Sequence, residues 1–158
     1  MENVVLMSAS TRDVYVVRTL EGERTFDSFG KNTDEYCDCF INQEALPLEK
    51  IAAAEVLVTG TLGLAYPETG AAMKRAVDAA RAAGTAVLVD VNWRPVFWPP
   101  HEDALKTILP YLQKADIIKM TDEEVEWALG IPASKAMTSA DKVCPIEQQC
   151  CRFSRNIA

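Results

Sequence analysis

Residues 55–90 read EVLVTGTLGLAYPETGAAMKRAVDAARAAGTAVLVD. Two short apolar runs, residues 55–59 and 86–90, have the composition of buried strands. Between them the chain turns over residues 60–66, and Pro67 sits where a first helical residue would sit. Ala71, Ala72, Met73, Ala76, Val77, Ala80 and Ala83 then recur at helical spacing, with Arg75, Asp78 and Arg81 on the other face. Gly84 is placed to close the helix in a left-handed conformation. Strand, helix and strand fit into about 35 residues, the length of a right-handed βαβ crossover.

A second unit follows. Residues 101–114 predict a helix with Leu105, Ile108, Leu109 and Leu112 on one face, residues 116–119 a third strand, and residues 121–129 a helix ended by Gly130. Three strands flanked by helices imply an α/β fold with a parallel sheet. Upstream, residues 14–18 and 24–29 flank a turn at Glu21-Gly22-Glu23 and read as a small β-hairpin. A loop is expected over residues 31–36, and a short helix within residues 46–54 with Pro47 in its first turn. The rhythm stops after Pro132. Residues 132–158 are expected to be disordered or foreign to the domain.

The composition narrows the function classes. The chain has 158 residues, 49% apolar and 25% charged, with a net charge of −7. No Lys/Arg stripe is present, so nucleic acid is not an expected partner. No apolar run approaches the roughly 20 residues that span a bilayer, so no membrane is expected either. Residues 1–10 lack the basic start of a secretory signal. The five cysteines, Cys37, Cys39, Cys144, Cys150 and Cys151, form no C-x-x-C pair, and the one histidine is His101. A zinc site forced from Cys37, Cys39, Cys150 and Cys151 lacks the usual spacing. Free thiols in a reducing compartment are the plainer expectation, which makes this chain intracellular and cytoplasmic.

Asp90, Asn92 and Arg94 lie at the carboxyl end of the second strand, where open α/β sheets bind ligands. Arg94 has the fork to clamp a phosphate or carboxylate, and Asn92 can hydrogen-bond a sugar hydroxyl. Equally, Asp90 can simply end the strand and pair with Arg94. Thr121-Asp122-Glu123-Glu124 opens the last helix, and Thr-x-x-Glu is a capping box. Glu124 can also reach a metal-bound phosphate through water, since magnesium keeps much of its water shell; the two roles are compatible. Gly60-Thr61-Leu62-Gly63 is neither a Walker loop nor G-x-G-x-x-G, and reads as a tight turn. Trp93, Phe97 and Trp98, beside Pro99 and Pro100, read as core packing rather than a stacking platform.

Residues 90–98, DVNWRPVFW, resemble the Asp-x-Asn-x-Arg-Pro-x-x-Trp segment of fructokinase-like members of the PfkB (ribokinase-like) carbohydrate kinases. Residues 116–124, DIIKMTDEE, resemble the family's Asn-x-x-Glu region, with Thr121 in place of Asn. Residues 56–67 are similar to its strand-turn-helix. Residues 11–17 and 22–26 resemble the lid strands that cover the sugar. The resemblance implies a partial ribokinase-like domain over residues 11–131, with a parallel sheet, flanking helices and a small β lid hairpin. It also implies ATP and Mg²⁺ as cofactors, and ATP and a fructose-like sugar as substrates of the complete enzyme. A sugar hydroxyl attacks the γ-phosphate while an aspartate takes its proton. Asp90, Asn92 and Arg94 would face sugar and phosphate, and Glu124 would tune the magnesium water shell.

Departures qualify that implication. The family's Asp-Thr-x-Gly-Ala-Gly-Asp motif is not in this sequence, and no Gly-Ala-Gly occurs. The early Gly-Gly sugar-binding segment is absent too. The expectation is therefore a chain cut at both ends, without a catalytic aspartate of its own and inactive alone. The parent could enter a plastid, and the lid hairpin offers a route to an oligomer. Two other readings stand beside this one. One is a non-catalytic interaction module pairing through exposed sheet edges. The other is an unrelated nucleotide-binding α/β module, against which the missing glycine-rich phosphate loop counts.

Overall fold

The computed structural model describes residues 6–98 and 101–130. Residues 132–158, with Cys144, Cys150 and Cys151, lie outside the described residues, as do Pro99 and Pro100. Among the described residues, five strands and four α-helices follow in order: β1 Tyr15–Arg18, β2 Arg24–Ser28, α1 Leu48–Ala53, β3 Val56–Gly60, α2 Pro67–Ala83, β4 Ala86–Asp90, α3 His101–Leu112, β5 Ile117–Lys119 and α4 Asp122–Leu129. β1 and β2 form an antiparallel hairpin, and β3, β4 and β5 form a parallel sheet in that order.

Local signals account for the element ends. Pro67 opens α2 and Gly84 closes it at φ +80°, donating its N–H back to the last turn. Gly130 does the same for α4 at φ +64°. Thr121 and Glu124 form the reciprocal capping box at the start of α4. Asp116 seals the foot of the sheet: its Oδ2 accepts from Val87 N at 2.8 Å, and its N–H donates to Val87 O at 2.8 Å.

The core lies on one face of the parallel sheet. Val87 and Val89 of β4 are fully buried with Val77 and Ala80 of α2 and Ala104, Ile108 and Leu112 of α3. α2 and α3 lie side by side there. Arg81 donates to Lys114 O at 2.9 Å, and Lys114 pairs with Asp78 at 2.5 Å. The Tyr111 and Thr59 hydroxyls meet at 3.0 Å between α3 and β3. The face expected for α3 is partly corrected: Ile108 and Leu112 are buried, but Leu105 and Leu109 are only half-buried, and Ala104 and Tyr111 take the inner positions.

β3 differs from the expectation of a buried strand. Val56 is 45% exposed and Val58 67%. The reason is topological. Val58, Leu88 and Ile117 are register partners across the sheet, pointing away from the α2/α3 face. Two consecutive right-handed crossovers in the same direction put both helices on one side. Parallel sheets ordinarily bury both faces; here Val56, Val58 and Ile117 remain open to solvent.

Candidate functional site

The carboxyl ends of β3 and β4 meet in an open groove of about 260 Å³, lined by Thr59, Gly60, Gly63, Met73, Asp90 and Asn92 among others. Close backbone approach makes it. A Cβ on Gly60 would stand 3.3 Å from Asp90 O, and one on Gly63 would stand 2.6 Å from both Met73 Sδ and Thr69 Cγ2. Thr61, fully buried, donates its hydroxyl to Val91 O and ties the two loops together. Asn92 adopts φ +42°, a conformation in which Asn is favoured over most side chains.

Of the four residues singled out in the sequence, Asp90 and Asn92 share this groove. Asp90 does not pair with Arg94, as the plainer sequence reading would have it; its Oδ2 takes Lys119 Nζ at 2.5 Å, across the register pair that joins β4 to β5. Arg94 donates to Trp93 O at 2.8 Å and lies over the Phe26 ring at 5.1 Å, beneath the hairpin. Glu124 is 6% exposed, and its two oxygens accept from backbone N–H groups: Oε1 from Trp93 at 2.7 Å and Oε2 from Thr121 at 2.9 Å. It thus fastens the turn that carries Asn92 and Arg94 to the start of α4. Trp93 stacks on Trp127 at 4.1 Å alongside, and Phe97 and Trp98 are buried, so the aromatic cluster packs as expected.

Sequence reasoning missed Arg12. Its side chain, 10% exposed, binds Asp38 through two nitrogens at 2.7 and 3.0 Å and donates to Phe29 O at 3.2 Å and Thr33 O at 2.8 Å. The guanidinium also lies 4.7 Å from the Tyr36 ring centre and 4.9 Å from that of Phe97. Burial opposes its charge, but the hydrogen bond to Asp38 and nearby negative groups outweigh this and raise its pKa. Burial pushes Tyr66 up to about 12, against the pull of Arg12. Tyr66 therefore stays neutral, donating to Thr33 O at 2.5 Å while accepting from Arg12 at 3.1 Å. No spacing rule links Arg12 to Asp38 or Tyr66; only its position just before β1 hinted at a role.

Residues 5–150 match the pfkB family carbohydrate kinase. The chain belongs to this family. It is 34% identical to the probable fructokinase-2 of Arabidopsis thaliana over 122 residues, which is 77% of this chain and 36% of that protein. Among solved structures, the fructokinase from Xylella fastidiosa superposes with a TM-score of 0.67 at 25% identity, covering 80% of this chain and 39% of that one. The same enzyme with bound ATP gives 0.67 at 24% identity, covering 81% and 40%. This pfkB chain therefore spans little more than a third of the length of these relatives. The α/β fold with its parallel sheet, read from the sequence, is that of the family.

The described residues of this pfkB chain contain no group of three or more His, Cys, Asp or Glu side chains placed to hold a metal ion. Cys37 and Cys39 are free thiols. No described helix is long and apolar enough to cross a membrane.

Proposed function

We propose that this chain supplies the sugar-facing part of an ATP-dependent sugar kinase acting on fructose or a close relative, and that the chain alone does not turn sugar over. The observation that carries the reading is the groove at the carboxyl end of β3 and β4. It holds Asp90 and Asn92, and Arg94, two residues on, lies over the Phe26 ring of the exposed β-hairpin. Asn92 and Asp90 present an amide and a carboxylate to sugar hydroxyls, and Arg94 presents a cation to the phosphate side. Magnesium-ATP supplies the phosphoryl group. Glu124 holds the Asn92–Arg94 turn in place and meets magnesium only through water, because both its oxygens already accept backbone N–H groups. Fructokinase relatives and an ATP-bound structural neighbour support substrate and cofactor. The absence of any Gly-Ala-Gly supports inactivity of the isolated chain.

The test is a fructose titration followed by heat of binding, together with a coupled ADP readout over a sugar panel with Mg²⁺-ATP. The reading expects fructose binding that Arg94→Ala and Asn92→Ala weaken, without turnover. Turnover above background, lost in Arg94→Ala, would show that another carboxylate acts as base. Absence of sugar binding in a folded chain would refute the site.

A second reading, a non-catalytic module that pairs through its sheet, draws on the outer edge of β3, which pairs only with β4 among the described residues, and on the open sheet face that carries Val56 and Val58. The hairpin, with Val16 and Val17 half-exposed, is the other surface on which an oligomer could form.

A further inference from the structure

We propose that Arg12 is a positioning residue, the pin that holds the base of the β1–β2 hairpin in register with the Asn92–Arg94 turn. The proposal deepens the kinase reading and rests on it for the hairpin's role as a lid. The hairpin has little packing of its own: every residue of β1 is exposed, as are four of the five in β2. An isolated two-stranded ribbon is marginal in water. Its position must therefore come from its base, and both ends of the base meet at one guanidinium. Arg12 stands just before β1, and it donates to Phe29 O, the residue directly after β2.

The same group reaches the mouth. It lies over Phe97, in the turn that follows Arg94. Phe29 packs edge-on against Phe97 at 5.2 Å and stacks with Phe26 at 5.5 Å, and Phe26 lies against Arg94. Asp38 and the Thr33 carbonyl hold the guanidinium from the body side. A planar fork with donors in fixed directions can set an orientation; an ammonium on a flexible stem carries the charge without it. The pin thus couples the lid's angle to the turn bearing Asn92 and Arg94.

Hydrogen exchange of the sugar-free chain tests this without relying on activity. Arg12→Lys keeps the charge and loses the fork. It is expected to speed amide exchange about tenfold or more in residues 15–28 and 93–98, leaving residues 56–60 and 86–90 within about twofold of the parent. Asp38→Asn, at a half-exposed position, should give the same local pattern more weakly, and serves if Arg12→Lys fails to fold. Unchanged exchange in the hairpin, or uniform acceleration that includes β4 in the folded variants, would overturn the proposal. Failure of the parent chain to bind fructose is a separate outcome that sinks the functional reading and leaves this result standing.

Discussion

Removing the Glu124 carboxylate should cost this chain a large part of its stability. The side chain is 6% exposed and accepts from the N–H groups of Trp93 and Thr121. Glu124→Ala takes the acceptor from two part-buried donors, at about 1–3 kcal/mol each, so the loss is about 2–6 kcal/mol, toward the lower end where water reaches the Thr121 N–H. Glu124→Gln keeps one acceptor oxygen but turns an amide NH₂ toward the other backbone donor. It should cost about 2 kcal/mol, the lower end of what a charge-assisted bond contributes. For a chain of this size that is a fall in Tm of about 4–8 °C. Domains hold only about 5–15 kcal/mol in total, so the alanine variant approaches the limit of folding. Urea unfolding followed by far-ultraviolet circular dichroism measures the change. Near-ultraviolet dichroism reports separately on the stacked Trp93–Trp127 pair, whose geometry depends on the same anchor. A Glu124→Gln variant as stable as the parent, with the tryptophan signal intact, would refute the reasoning. It would mean that the carboxylate does not hold the turn and is free for the magnesium water shell.

Three further outcomes follow from the geometry. Gly63→Ala forces a methyl to within 2.6 Å of Met73 Sδ and Thr69 Cγ2, and should destabilise by about 1–3 kcal/mol in a urea titration. Val58→Lys places a charge on the open sheet face and should leave stability within about 0.5 kcal/mol while reducing self-association in sedimentation velocity. Tyr66 is an acid whose pKa is raised in the folded state, to about 12 from 10.0. Its contribution is fully present below the unfolded value and is lost as pH rises from there through the folded one, because the unfolded chain releases that proton first. Tyr66→Phe should therefore flatten the alkaline fall in stability above pH 10, read from Tm against pH.

Much of the fold was legible because its causes are local. The Pro67 start and Gly84 stop of α2, the capping box of Thr121 and Glu124, and the Gly130 stop of α4 each depend on backbone groups a few residues away. The placement of Asp90 and Asn92 at a strand's carboxyl end was likewise readable from order alone, since ligand grooves of parallel sheets form there. The partner of Asp90 was not. The sequence offered Arg94, four residues on, as one alternative, but register brings Lys119 alongside instead. Nor could the sequence say that β3 would be open on one face, because burial depends on which side both crossover helices take.

By itself, then, the sequence determined the βαβ order, the helix ends and the family, through short-range hydrogen bonding, hydrophobic period and motif. Tertiary structure alone decided what those motifs touch. It turned Glu124 from a capping residue into the anchor of a turn 31 residues earlier, and gathered Asp38, Phe29, Thr33 and Tyr66 around Arg12. Such contacts leave no periodic trace in the chain. They arise because a buried charge must find its partners wherever packing brings them, not where the sequence places them.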